Sequence, residues 1–176
     1  MALNLVNLDD RTRELMREEV EHDTYAGTLY YGHYLSSTGR EDYRDLLVEA
    51  ISTGNDDTLA AELGRAERLL QHTTRNTTRG VINVQVPVNA PQMLAEGEFN
   101  RFYGRGLSRR ALEDGVPALK VYRAKQVDAP RPQSEALIGT TLDPQALLEG
   151  LRTHPGVDPT LGLPARPNSG LSVQLP

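Results

Sequence analysis

Apolar residues recur at helical spacing through the first 70 positions of this chain and then change period. In VINVQVPV, Ile82, Val84, Val86 and Val88 alternate with Asn83, Gln85 and Pro87. Spacing of three and four places side chains on one helix face, and spacing of two places them on one strand face. A chain that holds both patterns in separate blocks is neither all-helical nor all-strand. It predicts an α+β fold with a small α/β element.

The helical block has its own punctuation. Asp9 and Asp10 precede RTRELMREEVEHD, where acidic residues suit the first turn of a helix. Asp23 is placed to cap a second helix over TYAGTLYYGHYL. EDYRDLLVEAIS puts Tyr43, Leu46, Leu47, Ala50 and Ile51 at helical spacing, and Gly54 stops it. Asn55 caps DDTLAAELGRAERLL, with Leu59, Leu63, Ala66 and Leu70 along one stripe. Four short helices with short links predict an antiparallel bundle over residues 1–72.

QHTTRNTTRG reads as a polar loop. The alternating segment after it reads as a strand with one buried face, and Pro87 marks that end as an edge. Helical spacing returns in NAPQMLAEGEFNRFYGRGLSRRALEDG, opened by Asn89 and closed by Gly115. Gly97, Gly104 and Gly106 within it point to a kink or to close packing. ALKVYRAKQV is a second strand, so residues 80–152 read as a βαβ unit with a crossover helix. A third strand is expected in SEALIGTTL, and Asp143-Pro144 opens a last helix, QALLEGLR. Residues 1–152 are thus one domain. Residues 153–176 form an extended Pro/Gly-rich arm in which Leu161, Leu163, Leu171, Val173 and Leu175 are poor residues for a solvated tail. GLSVQL alternates as a strand does, so Leu171, Val173 and Leu175 are expected to dock on a partner or a sheet edge.

Charge is segregated. Residues 1–70 carry a net −8, residues 71–125 a net +5 and residues 126–176 a net −2, for −5 in all. A general nucleic-acid binder is usually basic throughout, so the basic middle has to meet either an outside anion or the acidic first segment. Only Lys120 and Lys125 of the 19 basic residues are lysine, and arginine suits bidentate pairing with carboxylate or phosphate. In FNRFYGRGLSRRAL, Arg101, Arg105 and Arg109 fall at i, i+4 and i+8, with Arg110 beside them, and Phe99, Phe102, Tyr103 and Leu107 lie mostly on another face. The plain reading is an amphipathic helix with aromatics inside and arginines outside. The partner favoured for the stripe is the carboxylate-rich first segment.

Tyr25, Tyr30, Tyr31, Tyr34 and Tyr43 fall within nineteen positions, more than one small core takes up, so Tyr30, Tyr31 and Tyr34 are assigned to a contact surface. No cysteine is present, which excludes disulfides, thiolate metal sites and cysteine nucleophiles. His22, His33, His72 and His154 lack metal-ligand spacing, and no cofactor, metal or catalytic residue is assigned. Glu96 and Glu98 flank Gly97 and read as ordinary helix positions. There is no apolar run of membrane-spanning length and no basic-then-apolar leader, so a cytoplasmic protein, or one assembled into a particle there, is expected.

Val121-Tyr122-Arg123 resembles the strand arginine of ADP-ribosyltransferases, and the resemblance implies NAD held by Arg123. Thr140-Thr141 resembles that family's Ser/Thr strand. No Glu-x-Glu or Gln-x-Glu turn follows it, and Glu96-Gly97-Glu98 comes in the wrong order. The reading that best joins these features is a non-enzymatic subunit of a larger symmetric assembly, a homo-oligomer or part of a hetero-assembly. A phage-type particle component, connector or minor capsid, fits the profile. The alternative is a nucleic-acid-binding accessory protein using Arg101, Arg105, Arg109 and Arg110, with Arg75 and Arg79 from the preceding loop. An NAD-using enzyme is third.

Overall fold

A computed structural model of the chain describes residues 1–65, 67–78, 80–155 and 169–176. Ala66 of the helical stripe, Arg79 of the polar segment, and Leu161 and Leu163 of the arm lie outside the described residues. The architecture is α+β, with helices grouped around one long helix and two small antiparallel sheets.

The first helix, α1 (Asp10–Ala26), begins where the Asp9 carboxylate accepts the Thr12 N–H at 3.0 Å. It ends at Gly27, whose φ of 68° lets the Thr28 N–H reach back to the Asp23 carbonyl at 2.8 Å. Gly32 is also left-handed, at 68°. The helix expected over TYAGTLYYGHYL therefore does not form. Two left-handed turns break its register, and the chain instead runs to an isolated bridge between Leu35 and Leu69. Ser36 caps α2 (Ser37–Thr53), and Asn55 with Thr58 makes a reciprocal capping box at the start of α3 (Asp56–Leu63). The third helix stops at Leu63, before Gly64, so the expected stripe does not extend to Leu70.

The polar segment expected as a loop is strand β1 (His72–Thr77). It pairs antiparallel with β2 (Gly80–Gln85), from His72↔Gln85 to Thr77↔Gly80. Threonine fits an extended backbone, and the alternating segment beside it offers a full ladder. The buried face expected for β2 is absent: Val81 is 67% and Ile82 45% exposed. These two strands form a separate hairpin rather than a part of the core.

The centre of the molecule is α4 (Ala90–Glu113), one 24-residue helix despite its three glycines. It packs against α1, α3, α6 (Pro144–Thr153) and β5 (Leu171–Gln174). Phe99, Phe102, Tyr103, Leu107 and Ala111 are fully buried on it. Each of the larger ones contributes about 1.5–3 kcal/mol of burial. Glycine serves this packing. A Cβ on Gly106 would lie 3.0 Å from the Met16 backbone nitrogen and 3.1 Å from the Thr12 carbonyl, so α1 and α4 touch backbone to backbone there.

The second sheet has the order β4-β3-β5, with β3 (Leu119–Arg123) central, β4 (Thr141–Leu142) on one side and β5 on the other, all antiparallel. This corrects the βαβ expectation. Both edges of β3 are taken, so β2 has no place beside it and pairs with β1 instead. SEALIGTTL gives the short helix α5 (Pro132–Leu137) before β4, and Asp143 caps α6 by accepting the Ala146 N–H at 2.8 Å. The arm's end lies on its own chain: Leu171 and Val173 are buried in register with Arg123 and Val121, and Leu175 packs half-buried against the core. The N-terminal segment crosses the same region. Asn4 donates to the Ala124 carbonyl at 2.8 Å, Asn7 N–H donates to the Tyr103 hydroxyl at 3.2 Å, and Leu175 N–H donates to Asn7 Oδ1 at 3.0 Å. Among the described residues no helix is long and apolar enough to cross a membrane.

Candidate functional site

The α1 and α4 helices run antiparallel and carry matching stripes of opposite charge. Glu19 and Asp23 are one turn apart on α1, and Arg101 and Arg105 are one turn apart on α4. Arg105 is fully buried. Its Nε donates to Glu19 Oε2 at 2.8 Å, Nη1 to Asp23 Oδ2 at 2.6 Å and Nη2 to Asp23 Oδ1 at 2.8 Å. Arg101 is 5% exposed; its Nε and Nη2 donate to Glu98 Oε2 at 3.0 and 2.6 Å, and its Nη1 donates to the Leu151 carbonyl at 3.2 Å. Arg152 of α6 closes the group from the third helix, donating from Nε and Nη2 to the Glu19 carboxylate at 2.9 and 2.5 Å. Both buried guanidiniums also lie over the Phe102 ring, at 4.6 and 4.9 Å from its centre.

The expected outward stripe is thus corrected. Arginines and aromatics are both inside, because α4 is covered on several sides rather than on one. The acidic first segment does supply carboxylate partners, within the same chain. Arg109 pairs with Glu18 at 2.6 Å, and Arg110 donates to Asp9 at 2.6 Å and to Thr12 Oγ1 at 3.0 Å, nearer the surface. Sequence reasoning did not single out Glu19 or Arg152, and it assigned Asp23 to cap a second helix, whereas Asp23 lies inside α1 and pairs with Arg105. The signal was present in the i, i+4 pair Glu19 and Asp23, the mirror of Arg101 and Arg105.

Electrostatics follow the geometry. Burial alone would raise the Glu19 carboxyl, but the Arg152 and Arg105 guanidiniums outweigh it and hold it below the ordinary carboxylate value. The same opposition, with Arg105 foremost among the cations, keeps Asp23 low. Glu98 goes the other way: complete burial pushes it up against the pull of Arg101. Tyr43 sits nearby, fully buried with its hydroxyl unpaired, and burial with the Glu98 charge drives its pKa well up. Three guanidiniums face three carboxylates, and every donor nitrogen of Arg105 is spent on α1. Such a cluster fixes the register of helices and presents no open coordination to a ligand.

A second polar group ties the N-terminal segment down. Leu3 N–H donates to the buried Asp56 carboxylate at 3.0 Å, Gln92 bridges Asp57 and Glu96 at 3.1 and 2.8 Å, and Lys125 pairs with Glu96. Burial, with Asp57 and Glu96 adding to it, raises Asp56 against the opposing Leu3 N–H. Among the described residues no group of His, Asp or Glu has the arrangement to hold a metal ion. Arg123, the NAD-type position, donates to the Ser169 carbonyl at 2.9 Å and pairs with Glu135.

The tyrosines divide. Tyr25 is fully in solvent, at 97% exposure, and Tyr43 is core. Tyr30, Tyr31 and Tyr34 are half-buried. The Tyr31 ring lies 5.6 Å from that of Tyr43, Arg40 lies 5.7 Å over Tyr31, Tyr30 meets His33 edge-on at 6.1 Å, and the Tyr34 carbonyl accepts Leu70 N–H at 2.8 Å at the base of the hairpin.

The surface feature that stands apart is the β1–β2 hairpin. Of nine large apolar side chains exposed among the described residues, Val81 and Ile82 lie on this hairpin and Leu70 and Val88 flank its two ends. Among the described residues Arg75 on β1 meets no carboxylate, unlike the arginines of α4. Comparison of the chain with protein-family models, with curated proteins and with solved structures finds no match.

Proposed function

We propose that this protein is a non-enzymatic structural subunit that assembles with other copies or other chains into a larger symmetric complex, made and assembled in the cytoplasm. A particle component of the connector or minor capsid type fits the same profile. The observation that carries the reading is the contrast between body and hairpin. The buried charged side chains of α1 and α4 are consumed in internal pairs and, with Arg152 of α6, lock the three helices together. The hairpin keeps its apolar and cationic side chains in solvent. An isolated two-stranded hairpin is marginal in water, and exposed β-branched residues on it suit a partner's surface. The nucleic-acid reading draws less support, because Arg101 and Arg105 are buried against carboxylates and only Arg75 of its described arginines is unpaired.

The test is the absolute mass of the full-length protein by light scattering, at low and high salt, with the 260/280 nm ratio recorded. A discrete multiple of the chain mass, free of nucleic acid, is expected. A monomer at both salts that also captures no partner chain overturns the reading.

A further inference from the structure

The hairpin's free face has a defined chemistry. The register pairs Arg75 with Ile82 and Thr73 with Val84, so these four side chains share one face, Ile82 beside Arg75. No acidic residue occurs anywhere in residues 71–95. The complementary surface is on α2. Glu41, Asp45 and Glu49 fall at i, i+4 and i+8, one row of carboxylates about 6 Å apart along the helix. With Asp42 and Arg68 they line an open groove whose apolar member is the half-buried Leu46. Asp42 is paired with Arg68 at 2.9 Å and Asp45 with Arg44 at 2.7 Å. Glu41 and Glu49 meet no cation among the described residues. One surface is an apolar side chain flanked by an unpaired cation. The other is an apolar side chain flanked by unpaired anions.

We propose that the β1–β2 hairpin of one copy docks in the α2 groove of a second copy, and the second copy's hairpin in the first's groove. Arg75 then meets the Glu41/Asp45/Glu49 row, and Ile82 covers Leu46. This rests on the assembly reading and names its contact. The exchange is reciprocal because donor and acceptor adjoin: Arg68, a wall of the groove, lies just ahead of His72, where β1 begins. Adjoining complementary patches are satisfied together by a two-fold axis, whereas patches on opposite faces would build rings or filaments. A nucleic acid is the poorer occupant for this ribbon, since any duplex laid on it would be repelled by the carboxylate row near the hairpin's base.

The experiment uses the full chain as wild type, Arg75→Glu, Asp45→Arg, and an equimolar mixture of the two variants. Arg75 is exposed on the hairpin and Asp45 is 80% exposed, so neither variant disturbs the core, which far-UV circular dichroism verifies. Light scattering is expected to give twice the chain mass for wild type. Each variant alone should dissociate about tenfold or more readily. The mixture should recover the pair, because glutamate at 75 then faces arginine at 45 while the native Arg75 and Asp45 still face each other. An oligomer that survives both substitutions overturns this contact and leaves the assembly reading standing. A wild-type monomer without a partner overturns both. Co-purifying nucleic acid that is lost in Arg75→Glu overturns the proposal and assigns the ribbon to nucleic acid.

Discussion

Arg105 and Asp23, 82 residues apart in sequence, share two hydrogen bonds at 2.6 and 2.8 Å inside the helical core. The pair is parallel and bidentate, which lysine cannot reproduce. Removing the guanidinium leaves Glu19 and Asp23 short of cation beneath α4. Arg105→Ala is expected to cost about 3–5 kcal/mol, and Arg105→Lys to recover only part of it. Urea unfolding of the two variants beside wild type checks both statements.

The same network sets the response to acid. Glu19 and Asp23 are held below their ordinary values of 4.5 and 3.8 by Arg152 and Arg105, against burial. A carboxyl that is more acidic folded than unfolded stabilises the fold above its unfolded pKa, and that contribution is lost as pH falls through the folded one. Urea midpoints should therefore hold from neutrality to near those ordinary values and drop below them. A midpoint that rises steadily below pH 4 would contradict the assignment.

Asp56 runs in the opposite sense. Its folded pKa is raised, chiefly by burial, so the ionised form weakens the fold at neutral pH and protonation relieves the cost as pH falls. Asp56→Asn keeps an acceptor for Leu3 N–H and removes the charge. It should be more stable than wild type at pH 7, with the difference shrinking on acidification. Denaturation at pH 7 and pH 4 measures both ends.

Two glycines on α4 should behave oppositely. Gly106→Ala sets a methyl against the α1 backbone and is expected to cost about 1–3 kcal/mol. At Gly97 nothing lies within 4 Å of an added Cβ, so Gly97→Ala should stabilise by about 0.5–1 kcal/mol. Thermal unfolding of the two variants separates close packing from helix propensity.

Leu171 is 1% exposed on β5, so Leu171→Ala should destabilise the monomer fold by about 2–5 kcal/mol. If the strand served only a partner, the substitution would leave unfolding of the single chain unchanged and alter oligomer mass instead.

Local signals in the sequence were the most readable. Asp9, Asn55 and Asp143 cap helices as their side chains dictate, and the preference of the arginines for carboxylates follows from charge segregation. Partner choice was less readable, because alternation of Ile82, Val84 and Val86 says that the backbone is extended and not which strand lies beside it. The threonine-rich run before it has weak local character and becomes a strand only by pairing. The tyrosine segment kept a helical spacing that Gly27 and Gly32 override, since both adopt a left-handed turn. The depth of Arg105 was hidden for another reason: α4 is enclosed by elements distant in sequence, and period alone reports one face.

The central place of β3 also has a consequence for synthesis. Val121 pairs with Val173, so the edge of β3 stays uncovered until the segment holding β5 has emerged from the ribosome. Val121 is apolar and lacks its β5 neighbour through that interval, and Asn100 of α4 lacks the Leu171 carbonyl and the Ser172 hydroxyl that it binds. Closure is a long-range, late event of high contact order, and slowing or cutting short translation after β3 would release chains with an open strand edge, ready to pair with one another.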